Sequence, residues 1–409
     1  MEDGIYSVVI KAKDKAGKTS RGLSNTFIVD SSPPTIKHVH HGHQNELLQY
    51  LNKKLHTFRA YLELEDDLAK IVSYKVGVGS YSGADDVLSF ESIKLHFPLS
   101  RVLASWTSSR PTTLKNGRKY YITVWAINSA GLFSITSSKA LFADSEPPKN
   151  GVILDGWGAS DTEYQSYSFV YRVHWYGFTD FSGLDKIYVG LSTKPNSKLC
   201  DVKPLEVVQS GMNYHILSGL SLRTGNRYYA CVKSVDKAGN SAFYSSNGVL
   251  VDTTPPRSGQ VQDGRPGNDE DVQTESSILR ATWSNFTETE TEITSYELAF
   301  GTFPGKDNIQ EFINVGLVTT AASSKLKVAE LSSGQRYYAT VIAYNILGMP
   351  STKVSSDGVL VDFTPPAFAV TARDGLKLTS DKKFTSTKTL SVVWKCIDNE
   401  TGLTEVKVL

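Results

Sequence analysis

Carboxylates form the groups in this sequence that come closest to a chemical site. Acidic residues recur in corresponding loops along the chain, and an aspartate recurs in the linkers between the segments that carry those loops. Calcium in proteins takes six to eight oxygen ligands, so a loop and a linker could supply several of them to one ion. Hydrated loops and turn-capping aspartates would give the same pattern. The sequence therefore yields calcium candidates and no defined metal site; the candidates are Asp144, Asp180, Asp185 and Asp252.

Two of the three cysteines fall in one segment of the chain. Cys231 occupies an outward position of a predicted strand, and Cys200 lies in the connection after an earlier strand. A disulfide between them on the outer face of a sheet is a candidate feature if the protein is secreted, because disulfides persist in oxidising compartments. The alternative is a pair of free thiols. Cys396 is left over in either case.

Histidines cluster at His38, His40, His41 and His43. Imidazoles at alternating positions of a strand project from one face and could share a metal. No cysteine and no fixed histidine spacing accompanies them, so a solvated sheet edge is the competing interpretation.

Two triplets match the acceptor for N-linked glycans, Asn285-Phe-Thr287 and Asn399-Glu-Thr401. Both fall in the same predicted loop, one repeat apart, and this matching placement favours an extracellular protein.

Several function classes find no support in the sequence. Nucleophile elbows, phosphate loops, dinucleotide fingerprints and zinc-protease motifs are absent, so we predict no enzyme. The formal net charge is +1, from 43 basic and 42 acidic residues, which predicts no nucleic-acid partner. No run of about 18 apolar residues occurs, which predicts no membrane insertion.

A repeat organises the whole chain and must position these side chains. The pattern Asp-x-x-Pro-Pro occurs four times, and its copies lie about 110 residues apart. A leucine six residues before a tyrosine keeps the same period. Proline restricts the backbone and is tolerated at strand edges, so these junctions predict short, stiff linkers and a semi-rigid rod.

Each repeat consists of short stretches in which apolar and polar residues alternate. Tyr337, Ala339, Val341 and Ala343 share one face of such a stretch, and a tryptophan ends an earlier stretch in most repeats. Period two indicates strands with one buried face. No helical stripe is present, so the pattern predicts an all-β sandwich.

These residues resemble the fibronectin type III family. The shared pattern is Leu-x5-Tyr-x-(Ala/Ile)-x-Val-x-(Ala/Ser)-x-(Asn/Asp)-x-x-Gly, preceded by a tryptophan on the second strand. The resemblance implies core tryptophans at Trp175, Trp283 and Trp394, and corner tyrosines at Tyr6, Tyr120, Tyr228 and Tyr337. The first complete repeat departs from the pattern: Phe58, Ala60, Leu62 and Leu64 occupy its second strand without a tryptophan, and Trp106 is a candidate to fill that core.

We therefore expect tandem antiparallel seven-stranded β-sandwiches arranged as beads on a string. The predicted boundaries are 32–145, 146–253 and 254–363, with parts of truncated domains at 1–31 and 364–409. The predicted function is a non-catalytic extracellular array for adhesion and spacing, with proteins or glycans as partners. A stalk of a receptor or modular secreted enzyme and an intracellular scaffold are the alternatives.

Overall fold

The computed structural model describes the chain except for residues 45–47, 158–159, 210, 324–330, 380–387, 389–390 and 409. The described part contains strands, turns and bends, and no helix in it could cross a membrane. Contact density divides the chain into two compact units. One comprises Met1–Asp161, Arg172–Leu217 and Tyr229–Gly248, and the other comprises Thr162–Tyr171, Ser218–Tyr228 and Val249–Leu409.

Four short strands precede the first sandwich and form two antiparallel pairs. The strands are β1 (Gly4–Tyr6), β2 (Val9–Lys13), β3 (Thr19–Leu23) and β4 (Phe27–Val29); β1 pairs with β4, and β2 pairs with β3. Their apolar side chains are largely exposed, Ile10 at 65% and Leu23 at 72%.

The first sandwich has a three-stranded sheet, ordered β11-β8-β5, facing a sheet ordered β10-β9-β13-β15-β6 with β14 also on β13. A two-stranded pair, β7 with β12, lies beside them. The strands are β5 (Thr35–His41), β6 (Tyr50–Leu51), β7 (Leu55–His56), β8 (Arg59–Glu65), β9 (Ile71–Gly79), β10 (Leu88–Leu99), β11 (Arg101–Thr107), β12 (Thr112–Thr113), β13 (Lys119–Asn128), β14 (Phe133–Ser137) and β15 (Leu141–Ala143).

The second sandwich repeats this plan with sheets ordered β16-β18-β21 and β17-β24-β22-β19-β20, with β23 on β22. The strands are β16 (Val152–Asp155), β17 (Tyr164–Gln165), β18 (Val170–Tyr176), β19 (Leu184–Ser192), β20 (Lys203–Val207), β21 (Tyr214–Ser218), β22 (Arg227–Asp236), β23 (Ser241–Ser245) and β24 (Val249–Val251).

The third sandwich has sheets ordered β25-β27-β30 and β26-β33-β31-β28-β29, with β32 on β31, and a pair of strands, β34 with β35, follows it. The strands are β25 (Gln260–Asp263), β26 (Val272–Gln273), β27 (Arg280–Ser284), β28 (Ile293–Gly301), β29 (Gln310–Gly316), β30 (Thr320–Ala322), β31 (Arg336–Asn345), β32 (Val354–Ser355), β33 (Val359–Val361), β34 (Ala367–Asp374) and β35 (Val392–Ile397).

The predicted all-β fold of tandem seven-stranded sandwiches is confirmed, with the first and last strand of each sandwich split in two. The expectation of purely antiparallel sheets is wrong in one detail. The second half of each first strand pairs in parallel with the second half of the last strand, as β6 with β15, β17 with β24 and β26 with β33. A split first strand can cross between the sheets, which lets it close both edges of the sandwich.

The tyrosines form the same corner in all three sandwiches. Each hydroxyl oxygen accepts the main-chain N–H five residues earlier: Lys115 to Tyr120 at 2.9 Å, and Arg223 to Tyr228 and Ser332 to Tyr337 at 2.8 Å. Tyr6 differs, because its hydroxyl donates to the Glu2 carbonyl at 2.8 Å.

Tryptophans occupy two of the three cores at the second strand. Trp175 and Trp283 are 4% and 2% exposed, whereas Trp394 on β35 is only half-buried. In the first sandwich the corresponding space is filled from a neighbouring strand: Trp106 on β11 packs into the cluster that contains Phe58, and its indole N–H donates to Glu91 at 3.1 Å.

Candidate linker site

The main chain of each of three linker aspartates is hydrogen bonded to the sandwich that precedes the linker. The aspartate N–H donates to the carbonyl of the last residue of the short parallel strand described above. The bonds are Asp144 to Leu51 at 2.8 Å, Asp252 to Gln165 at 2.9 Å and Asp362 to Gln273 at 2.9 Å.

The carboxylates of the same aspartates are bonded to the segment that follows. Each accepts a hydrogen bond from the loop after the tryptophan-bearing or equivalent second strand (β8, β18, β27 and, in the last segment, β35). The donors are the Ala69 N–H to Asp30 at 3.1 Å, the Ser182 N–H to Asp144 at 3.2 Å, and the hydroxyls of Thr291 to Asp252 and Thr401 to Asp362, both at 2.7 Å. At Asp144, Asp252 and Asp362, one residue therefore joins two consecutive segments.

Three carboxylates meet where the chain enters the second sandwich. Oxygens of Asp144, Asp180 and Asp236 lie within 4.8 Å of one another, and Asp144 and Asp236 are each 1% exposed. The donors to them are neutral: the Ser182 N–H and hydroxyl, the Glu146 N–H, and the main-chain N–H and side-chain amide of Asn240. Burial, reinforced by the Asp144 charge, raises the pKa of Asp180 although Ser182 bonds to it. This group, which we call the second-entry carboxylates, concentrates negative charge with no cation among those donors.

The corresponding place in the third sandwich contains an amide. Asn345 donates to Asp252 at 3.1 Å and to Glu288 at 3.2 Å, and Glu290 lies within the same 4.8 Å group. In the first sandwich Asn128 likewise donates to Asp66 at 3.1 Å. Asp236 stands where these asparagines stand, at the end of the equivalent strand. Where the chain enters the second sandwich, a third carboxylate therefore takes the place of the amide that donates hydrogen bonds to acidic side chains in the other two sandwiches.

The sequence candidates are only partly brought together. Asp144 and Asp180 meet, and Asp252 joins a different group, whereas Asp185 is exposed and lies beside Lys186. The sequence did not single out Asp236 as a ligand, although its strand position is recognisable from the tyrosine frame.

A further buried carboxylate was missed. Asp263, at the end of β25, is 1% exposed and accepts hydrogen bonds from the Ser356 hydroxyl and the Gly358 N–H, both at 2.9 Å. Burial raises its pKa to about 7. The signal was present in the sequence as an Asp-Gly pair that recurs after the first strand, at Asp155-Gly156, Asp263-Gly264 and Asp374-Gly375.

His41 occupies the equivalent position in the first sandwich. Its Nε2 lies 3.0 Å from the Ser138 hydroxyl, it is 4% exposed, and burial lowers its pKa to about 4. His38, His40 and His43 do not join it in any metal-sized group of the described residues.

The remaining candidates lie where their segments place them. Cys200 and Cys231 are unbonded thiols whose side chains are close enough to hydrogen bond. Asn285 and Asn399 are both exposed in the loop after the tryptophan-bearing strand.

No family model and no curated protein matches the chain. Among solved structures, the chicken CNTN1 FN1–FN3 domains are similar at 14% identity with a TM-score of 0.28, over 80% of this chain and 97% of that one. The fibronectin(III)-like modules of Clostridium thermocellum CbhA align at 12% identity and a TM-score of 0.30, over 52% and 94%.

With the split last strand counted once, each sandwich places three strands against four, and the second half of the first strand lies at the edge of the larger sheet. The fold of the chain is a tandem of β-sandwiches of the fibronectin type III-like kind. A third solved structure similar to this tandem is described as a Ca2+-stabilized adhesin that helps an Antarctic bacterium reach out and bind ice. It aligns at 13% identity and a TM-score of 0.36, over 87% of the tandem and 81% of that chain.

Proposed function

We propose that the tandem is a non-catalytic extracellular array that holds binding surfaces at fixed spacing for contact with other proteins or glycans. The observation that carries the proposal is the doubly bonded linker aspartate. Its N–H is bonded to one sandwich and its carboxylate to the next at Asp144 and Asp252. Prolines follow within four residues of each. A linker held at both ends and stiffened by proline has few free torsions, which suits a spacer.

Exposed side chains supply the binding half of the proposal. Loops carried on a rigid scaffold are where binding residues concentrate in this class of fold. The exposed positions of Asn285 and Asn399 are compatible with glycans, which supports an extracellular location.

The spacing role can be tested at the Thr291–Asp252 bond. Thr291→Val removes the donor hydroxyl at nearly constant shape, and Thr291→Ser retains it as a matched control. Spin labels at the exposed positions 237 and 311, in a background with the native cysteines replaced by serine, report a distance distribution across the linker. We expect Thr291→Val and Asp252→Ala to broaden that distribution and Thr291→Ser to leave it unchanged. Equal widths for all four proteins would contradict a spacer held by this bond.

We also propose that the second-entry carboxylates bind calcium. Oxygens within 4.8 Å of one another can share an ion, because calcium–oxygen distances are about 2.3–2.6 Å. Two of the three carboxylates are almost fully buried, and a buried charge is costly unless it is paired. Asp144, Asp180 and Asp236 would hold the ion, with main-chain carbonyls or water completing the shell. The ion would offset most of the negative charge of the three carboxylates and fix the linker further.

Thermal unfolding with calcium and with a chelator tests this site. Calcium should raise the unfolding midpoint of the second sandwich, because an ion that binds only the folded state stabilises it. Asp236→Asn restores the amide found in the other two sandwiches and should abolish the response, whereas Asp185→Asn should preserve it. A midpoint that the chelator leaves unchanged would rule the calcium site out without affecting the Thr291 experiment.

A further inference from the structure

The second sandwich differs from its neighbours at one place on the outer face of its larger sheet. In the first sandwich the Thr123 and Ser137 hydroxyls lie 2.9 Å apart, and both accept the Gly83 N–H from the loop after β9, at 3.2 and 2.9 Å. This arrangement ties the loop to two strands.

The third sandwich contains the same arrangement. Thr340 and Ser355 lie 2.9 Å apart and accept the Gly305 N–H at 3.2 and 2.9 Å. The hydroxyl tie therefore recurs with matching distances in two sandwiches.

A thiol replaces the threonine in the second sandwich. Cys231 lies three residues after the corner tyrosine, as Thr123 and Thr340 do, and it pairs with Ser245 on β23 as they pair with their serines. Cys200 approaches Cys231 from the loop after β19. The next residue, Asp201, accepts a hydrogen bond from the Thr193 N–H at 2.8 Å. In the first sandwich Asp86 accepts the Ser80 N–H in the same way, also at 2.8 Å. Asp86 therefore corresponds to Asp201, and Asp85 corresponds to Cys200.

Gly190 provides the space in which the two thiols meet. It is directly opposite Cys231 in the pairing of β19 with β22. A Cβ at Gly190 would lie 2.8 Å from the Cys200 Cβ and 2.9 Å from its Sγ, closer than side chains tolerate. Because glycine has no side chain, Cys200 can pack flat against β19 beside Cys231, where the two side chains are within hydrogen-bonding reach.

We infer that Cys200 and Cys231 form a disulfide that ties the loop after β19 to β22, in place of the hydroxyl tie of the other two sandwiches. Cys200 is half-buried and Cys231 is 2% exposed, so the entry point for an oxidant is Cys200. Burial raises the pKa of both thiols, so the reaction is slow at neutral pH.

The reaction balances with a small-molecule disulfide such as oxidised glutathione as the oxidant. The Cys200 thiolate attacks one sulfur of that disulfide, forms a mixed disulfide and releases one glutathione thiolate. The Cys231 thiolate then attacks the Cys200 sulfur and releases the second glutathione. Two protein thiols are oxidised, one small disulfide is reduced, and the two released glutathione thiolates take up the two protons that the protein thiols give up.

Peptide mapping of the whole chain tests the inference. The protein is equilibrated with oxidised glutathione at mildly alkaline pH, alkylated in denaturant and digested with trypsin without reductant. We expect the peptide 199–223 joined to 228–233, and Cys396 recovered separately as an internal control. The cross-linked form should also unfold at a higher temperature than the reduced form, and Cys396→Ser should not change that difference.

Single substitutions distinguish a specific bridge from general thiol reactivity. In Cys231→Ser, Cys200 should accumulate as a stable mixed disulfide with glutathione. In Cys200→Ser, Cys231 should remain a free thiol until denaturant is added. Recovery of both cysteines as separate alkylated or glutathionylated peptides from the oxidised native chain would overturn the inference.

Discussion

The stabilities of the first and third sandwiches should change in opposite directions with pH, because a histidine occupies in one the position that an aspartate occupies in the other. His41 ends the first strand of one, and Asp263 ends the first half of the first strand of the other. Each contacts a serine hydroxyl beside the split in the last strand, Ser138 or Ser356. Burial favours the neutral form of both side chains, which is a deprotonated imidazole in one case and a protonated carboxyl in the other.

Asp263 should make the third sandwich more stable in acid. Its pKa is about 7 in the folded chain against an ordinary value of 3.8, so between these values the folded state holds a proton that the unfolded state has released. The contribution of Asp263 to stability is then fully present below about pH 4 and is lost as the pH rises through about 7. At about 1.4 kcal/mol per unit, the difference amounts to about 4 kcal/mol.

His41 should make the first sandwich less stable in acid. Its pKa is about 4 when folded against an ordinary 6.5, so between these values only the unfolded state takes up a proton. The contribution is fully present above about pH 6.5 and is lost as the pH falls towards about 4. The difference amounts to about 3 kcal/mol.

Native-state hydrogen exchange read by mass spectrometry can follow both sandwiches in one sample. Amides of β31 report on the third sandwich and those of β13 on the first, after correction for intrinsic exchange rates. Between about pH 7.5 and about pH 5, protection of β31 should rise about a hundredfold and protection of β13 should fall about thirtyfold.

Substitutions identify the groups responsible. Asp263→Asn cannot titrate and should flatten the pH response of β31. Asp357→Asn should leave most of that response, because the charge of this exposed neighbour raises the pKa of Asp263 less than burial does. The reasoning is refuted if β31 and β13 shift in the same direction, or if the response of β31 survives Asp263→Asn.

Three further changes test the packing of the third sandwich, and Gly22 on β3 serves as a control for the last of them. Trp283→Ala should lower the free energy of unfolding by about 3–5 kcal/mol, measured by urea denaturation, because the buried indole leaves a cavity. Tyr337→Phe should cost about 1–3 kcal/mol in the same assay, because the Ser332 N–H loses its acceptor while the ring is kept. Gly301→Ala should lower the melting temperature, since the added methyl would overlap the Lys306 carbonyl, whereas Gly22→Ala, which meets nothing within 4 Å, should not.

The repeated features of the fold were predictable because they depend on period and register. The tyrosine frame places Tyr120, Tyr228 and Tyr337 at identical corners, and alternation alone identifies the buried face of β31. The short parallel pairing was not predictable in this way. The half of the first strand that makes this pairing is two residues long in each sandwich, which is too short to show an alternation of apolar and polar residues.

The candidate site was less accessible to sequence reasoning, because loop conformation decides which carboxylates meet. Asp180 and Asp185 are close in sequence and both acidic, yet only Asp180 turns towards the linker, where the Ser182 N–H bonds to it and to Asp144. In the sequence, Asp236 is simply the (Asn/Asp) position of the repeat pattern. Its importance depends on the comparison with Asn128 and Asn345, which makes sense only once all three are known to lie beside linker carboxylates.

The doubly bonded linker aspartate has a consequence for how such a chain can grow. The carboxylate acceptor and its donor lie 38 to 39 residues apart within the same period, at Asp144 with Ser182 and Asp252 with Thr291. A genetic duplication that starts at one aspartate and stops before the next copies both partners together. Every new copy then arrives with a complete junction to its predecessor, so the array can change in length by whole units without new compensating substitutions at the joints.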